Sequence, residues 1–185
     1  MTTTQTYTAD EVFELALTEP FELINGELHI VPGSGQDSSA IGSNLLVEIG
    51  IYLKRHKIGF LTGEGGEFIL SQNPDTVVFP DVGFSFNSRL VNGKRHLKFA
   101  PHSPDLAVEV MSPSDRMVDA EAKVRLYITA GTRLVWLVDP KRRIVKIYQD
   151  NHAPRILGDR ELLTGDDVLP GFAISVEDVF KQPGE

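Results

Sequence analysis

Six residues decide most about this chain: Leu106-Ala107-Val108-Glu109-Val110-Met111. The run is too short and too apolar for a surface helix, and it reads as a central strand covered on both faces. One acid, Glu109, is embedded in it. Glutamate is seldom buried unless it is paired or binds a metal. In an edge strand Glu109 would simply face water. Any fold for this chain therefore needs a sheet, and that sheet must find something for Glu109 to do.

The neighbours of this strand extend the pattern. A Pro-Asp dipeptide, Pro104-Asp105, leads into it, and an earlier one, Pro80-Asp81, stands beside the apolar run Val77–Phe86. Proline biases the residue before it away from helix, and Pro-Asp is also a common turn former. Asp105 lies four residues before Glu109, which puts it on the same strand face but ~13 Å away. It reads as structural. After the strand, Ser114 can cap a helix over Asp115–Ala130, with Gly131 as its C-terminal stop. That helix carries Lys123. The simplest role for Lys123 is a solvated pair with Asp119, four residues earlier. Its position argues for more, because a helix that follows the Glu109 strand crosses back over the sheet and can overhang that strand's end.

The rest of the chain reads as follows. Thr8-Ala9-Asp10-Glu11 is a capping box, so a short helix should run to about Leu17 and stop before Pro20. Phe21–Val31 is two strands around the Asn25-Gly26 turn. Pro32–Ser39 is a loop. Ile41, Leu45, Ile49 and Leu53 recur at helical spacing, so Ser39–His56 is a helix ending in Lys54-Arg55-His56-Lys57. Phe60–Leu70 and Val77–Phe86 read as strands, and Asn87–Ser103 as a polar, basic loop. Leu134–Val138 and Ile144–Tyr148 form a hairpin. A short strand near Ile156, a turn before Leu169-Pro170-Gly171 and a helical turn at Val176–Phe180 complete the chain. Strands before and after one central helix indicate an α/β sheet with helices on its faces.

Composition narrows the chemistry. The 185 residues suit one domain spanning 1–185 with one sizeable core. There is no cysteine, which removes disulfides, thiol catalysis and thiolate metal sites. The first residues show no basic region before an apolar run, so no signal peptide is expected. No apolar run approaches the ~20 residues of a membrane span, and the expectation is a cytoplasmic protein. Gly63-Glu64-Gly65-Gly66 lacks the Lys-Ser/Thr of a phosphate loop. The net charge of −8 means that a phosphate-binding face must be local or assembled between subunits.

The ordered motifs resemble the Uma2 family of restriction-type endonucleases, within the PD-(D/E)xK nuclease superfamily. The resemblance runs from about Phe21 to Phe180. It rests on Ile24-Asn25-Gly26-Glu27-Leu28, Pro80-Asp81-Val82, Pro104-Asp105-Leu106, Val108-Glu109-Val110 and Ser112-Pro113-Ser114. Asp119 with Lys123 and Tyr127, then Ala130-Gly131, Val135–Pro140 and Leu169-Pro170-Gly171-Phe172, continue the series. The superfamily pattern places the lysine two residues after the strand acid. Here that place is Met111, and the resemblance implies a lysine moved to the next helix, Lys123.

The resemblance implies a restriction-endonuclease-like mixed sheet flanked by helices. It implies Asp81 and Glu109 as ligands of Mg²⁺ or Mn²⁺, with Glu27 completing the shell. Lys123 would then orient a water or offset charge, and these four residues form the expected catalytic set. Oxygen ligands suit such ions, and a bound ion would polarise a phosphoryl oxygen. Many family members carry a histidine where this chain has Ser38; His29, His56 and His102 are the substitutes on offer. DNA is the expected partner, cut by a homodimer or higher homo-oligomer that pools cations such as Lys94, Arg95 and Lys98. A non-catalytic nuclease-fold binding or assembly module, and a metal-dependent phosphohydrolase of small substrates, are the competing readings.

Overall fold

The computed structural model describes residues 5–181 other than Pro32 and Ser34. The strand Leu106–Val110 (β7) lies inside a six-stranded sheet. One neighbour is Val82–Phe86 (β6), antiparallel, and the other is Leu134–Asp139 (β8), parallel. Ile144–Tyr148 (β9) and Arg155–Gly158 (β10) extend the sheet beyond β8, and Gly59–Thr62 (β3) closes the β6 side. The parallel pair β7 and β8 needs a crossover, and the helix Met117–Thr129 (α3) supplies it.

Alternation along β7 sorts its side chains between two cores. Leu106, Val108 and Val110 pack with Ile41, Leu45 and Ile49 of the helix Gln36–His56 (α2). Leu134, Trp136 and Val138 of β8 share that layer, and the Trp136 ring stacks 5.8 Å from Phe172. Ala107 and Met111 point the other way, toward Val124 and Tyr127 of α3 and toward Phe68. Glu109 shares this second face. Phe68 can lie here because β6 carries Gly83: a Cβ at that position would come within 2.7 Å of the Phe68 ring.

A second, four-stranded sheet covers part of the α3 face. It is ordered Glu27–Ile30 (β2), Phe21–Ile24 (β1), Thr76–Val78 (β5), Phe68–Ser71 (β4). The helix Ala9–Leu15 (α1), with the expected capping box at Thr8 and Glu11, packs against it. Leu162–Gly165 (β11) and Leu169–Ser175 (β12) form a two-stranded ribbon, and Val176–Phe180 (α4) ends the described chain. No described helix is long and apolar enough to cross a membrane.

Several boundaries differ from expectation. Phe60–Leu70 is two strands, β3 and β4, in different sheets, broken at Gly63–Gly66. Val77–Phe86 is likewise split into β5 and β6, because Pro80 has no N–H for a ladder. Of the expected Pro32–Ser39 loop, Pro32 and Ser34 lie outside the described residues, and from Gln36 the chain is already helical. α3 starts at Met117 because Asp115 turns back to accept from the Ser112 N–H at 2.7 Å. Gly131 takes the left-handed conformation (φ +92°) that lets the chain leave α3.

Candidate active site

At the end of β7 where α3 begins, the two sheets leave a cleft of about 710 Å³. Eight carboxylates line it against two cations, Lys123 and Arg116. Asp81, Glu109 and Lys123 all line this cleft.

Glu109 is held from both sides. Tyr127 donates its hydroxyl to Oε1 at 2.6 Å, and Lys123 Nζ stands 2.9 Å from Oε2. Lys123 and Tyr127 are four residues apart on α3, one turn, so both reach the same strand acid. Lys123 is not the solvated residue of a surface pair, for its side chain is only 22% exposed. Asp119 pairs with Arg116 instead, at 3.7 Å. Burial pushes the Glu109 carboxyl up to about 7, beyond what the Lys123 charge beside it can offset. Burial alone would lower Lys123, but Glu109 and Glu22 outweigh it and hold the ammonium above its ordinary value. Lys123 is therefore a fixed cation, unable to act as a base near neutrality.

Asp81 directly precedes β6. Its Oδ2 accepts the Val110 N–H at 2.7 Å, taking over where the β6–β7 ladder stops at Pro80. Its other oxygen accepts no hydrogen bond from the described residues. Burial raises its proton affinity, partly offset by the Val110 N–H and the Lys123 charge. Gly42 of α2 packs against it; a Cβ there would sit 3.4 Å from the Asp81 Cβ.

Two further side chains belong to this constellation. One is Tyr127. The other is Glu22 of β1, whose Oε1 lies 2.6 Å from Lys123 Nζ with its side chain 19% exposed. Glu27, expected as a metal ligand, does not join. It sits on the same face of the β1–β2 hairpin, opposite Ile24, but nearer the turn and outside the cleft. Its side chain is 53% exposed and, among the described residues, pairs only with His29, at 4.0 Å. Alternation put an acid on the right hairpin face, but the register gives the cleft position to Glu22, opposite His29. The Asn25-Gly26 turn fixes the pairing Glu22↔His29, but that register alone does not say which acid meets Lys123.

Ser38 is buried at the start of α2 and donates to the Met111 carbonyl at 3.2 Å. None of the candidate histidines lines the cleft. His29 is exposed, His56 stacks on Tyr52 at 3.9 Å, and His102 Nδ1 lies 2.9 Å from the Ser103 carbonyl.

The donor set suits a hard divalent ion. Among the described residues no three Asp, Glu, His or Cys side chains form a ready cage. Asp81 and Glu109 offer two carboxylates, the number with which Mg²⁺ is commonly held alongside waters and substrate phosphate.

Comparison with known proteins bears on this arrangement. No curated protein matches the chain. A crystal structure titled as a "putative nuclease belonging to DUF820" from Anabaena variabilis is 24% identical and has the same fold, with a TM-score of 0.81. The alignment covers 94% of this chain and 97% of that one. The sequence model of the Uma2 family, described as "Putative restriction endonuclease", matches residues 9–177. With that pattern running from the first turn of α1 into α4, the protein belongs to the Uma2 family.

Proposed function

We propose that the chain is a divalent-metal-dependent endonuclease acting on DNA. The observation that carries this is the pairing of Lys123 with Glu109 at 2.9 Å, in the cleft that Asp81 also lines. Asp81 and Glu109 would hold Mg²⁺ or Mn²⁺. When bound, the ion supplies Lewis-acid polarisation of a phosphoryl oxygen and a more acidic water.

The chain's own residues do the rest. Tyr127 fixes one oxygen of Glu109 and so sets the direction of the other. Glu22 gives Lys123 a second anchor. With Glu109 serving as a metal ligand, that anchor would keep the ammonium in the cleft, where it would offset negative charge developing on phosphate. Glu27 has no part in this scheme. Two copies of the site are needed to cut both strands of a duplex, and a twofold dimer is the simplest source.

The test is nicking of supercoiled plasmid in Mn²⁺ by wild type, Asp81→Asn and Glu109→Gln, with sedimentation to establish the oligomer. Nicking by wild type, lost in both variants, is the expected result. Mn²⁺ binding without cleavage of DNA, RNA or small phosphodiesters would turn the conclusion to a non-catalytic module.

A further inference from the structure

The chain carries 18 Lys and Arg residues, and ten of these make ion pairs among the described residues. Of the eight that remain, five gather at one place: Lys54, Arg55, Lys57, Lys94 and Arg95. The end of α2 and the loop after β6 bring them together. The Lys57 carbonyl accepts from the Asn87 side chain at 2.7 Å, and Asn87 N–H donates to the Ile58 carbonyl at 3.0 Å. Arg95 lies 5.5 Å over the Phe60 ring on β3. Lys94 closes the tight turn that begins at Val91.

Three of the nearby acids are already committed to other cations. Asp105 holds Arg89 at 3.0 Å, and Asp10 and Glu14 hold Lys98 at 3.1 and 3.3 Å. Lys98, one of the cations expected to be pooled between copies, is paired within its own chain. A protein of net charge −8 has therefore kept one end positive. The three cations of α2 also complement that helix's C-terminal dipole. That accounts for neither Lys94 nor Arg95, which stand on a separate segment. The same loop also exposes Leu97 almost completely, at 99%.

α2 connects this end to the cleft. Its first turn touches the cleft wall through Ser38 and Met111, and its last turn carries the cations. Twenty-one residues of helix span about 31 Å, close to the ~34 Å of one duplex turn.

We propose that the basic end formed by Lys54, Arg55, Lys57, Lys94 and Arg95 is a second nucleic-acid contact, gripping the phosphate backbone about one duplex turn from the cleft. It rests on nucleic acid being the substrate but not on any chemistry in the cleft. Phosphates are the partner that fits, because the surface offers, on two segments, cations without an ion pair among the described residues, and little geometric selectivity.

The experiment is fluorescence anisotropy of a labelled 30-base-pair duplex with the full chain in EDTA, titrated across KCl. Without metal no cleavage occurs, so a protein that binds but never cuts keeps this proposal and loses the nuclease reading. Wild type should show a log–log salt slope of about −4 to −5, from roughly five phosphate contacts. Lys54→Glu/Lys94→Glu should bind at least ~10-fold more weakly, with a slope smaller by about 2. Arg125→Glu, which alters an exposed cation on the outer side of α3, should change affinity less than ~2-fold per the weak effect of a distant charge. Melting curves establish that each variant is folded. Absence of salt-dependent binding by wild type would overturn the proposal. So would an equal loss in Arg125→Glu, or equal competition by polyglutamate, which would indicate an acidic protein partner.

Discussion

Asp81 and Asp105 sit at opposite ends of the β6–β7 pair and perform the same backbone task. Each follows a proline and directly precedes its strand. Each accepts an N–H from the last residue of the other strand: Val110 to Asp81 at 2.7 Å, Phe86 to Asp105 at 2.9 Å. They differ in the second oxygen. Asp105 Oδ1 is taken by Arg89 at 3.0 Å, whereas Asp81 Oδ1 receives nothing from the described residues. One end of the ladder is closed by a cation of the chain, and the other faces a cleft.

That contrast predicts different mutational outcomes. Asp105→Ala leaves the half-buried Phe86 N–H without an acceptor and Arg89 without its partner, and should cost about 2–3 kcal/mol. Asp81→Asn retains an acceptor for Val110 and should stay within about 1 kcal/mol of wild type. It should, however, abolish the rise in melting temperature expected of wild type in Mn²⁺. Urea denaturation in EDTA and melting with and without Mn²⁺ measure both. Equal destabilisation by the two variants would make Asp81 merely structural.

The same two dipeptides show what the sequence could and could not reveal. Apolar runs and periodicity located β7, α2 and the β8–β9 hairpin, because those elements bury one face or two, and end signals at Ser114 and Gly131 located α3. Turn chemistry located β1 and β2. What the sequence hid was the change of sheet. Phe60–Leu70 and Val77–Phe86 each look like one strand, since both halves are apolar, and local pattern does not record which sheet a residue joins. β11 and β12 were missed because Thr164, Gly165 and Asp166 read as loop while their pairing is set by Leu163 and Leu169 in the core. Glu109 and Lys123 were legible from an acid in an apolar strand and a helix that follows it. Glu22 was not, because its partner Lys123 lies 101 positions away in sequence and on another layer.

Stability should carry the signature of Glu109. Its carboxyl titrates near 7 in the folded protein against an ordinary 4.5. The folded state therefore holds that proton more tightly, and the group's contribution to stability falls as pH rises from about 4.5 to about 7. Glu109→Gln removes this loss. Relative to wild type, the variant should gain up to about 3 kcal/mol between pH 4.5 and pH 8. Denaturant melts at pH 4.5, 6 and 8 test it, and a pH-independent difference would contradict it. Mn²⁺ should likewise stabilise wild type more at pH 8 than at pH 5, because a ligand carboxylate must be ionised.

Glu22 and Glu27 offer a paired comparison on one hairpin face. Glu22→Gln weakens the hold on Lys123 and should lower Mn²⁺-dependent nicking ~10-fold or more, below the full loss of a charge-stabilising group. Glu27→Gln changes an exposed side chain and should match wild type in nicking and stability. Glu22→Asp, which keeps the charge on a shorter arm, should recover part of the loss. The opposite ranking of Glu22 and Glu27 would restore Glu27 to the site.

Lys123 makes the last prediction. A solvated lysine would tolerate replacement within ~0.5 kcal/mol at any pH. The observed Lys123 neutralises two shielded carboxylates, Glu109 and Glu22, at 2.9 and 2.6 Å. Lys123→Met leaves both acids without their cation, so the fold should lose about 2 kcal/mol or more at pH 8. Without the lysine, the proton affinity of Glu109 rises further. The folded variant then takes up a proton as pH falls, and its deficit should shrink toward pH 5. Nicking in Mn²⁺ should fall ~100-fold or more at pH 8, while Mn²⁺ binding persists, since Asp81 and Glu109 remain. Arg125→Ala, two residues along and exposed, should match wild type in every assay. Nicking by Lys123→Met at the wild-type rate would leave the lysine as a structural counter-ion alone.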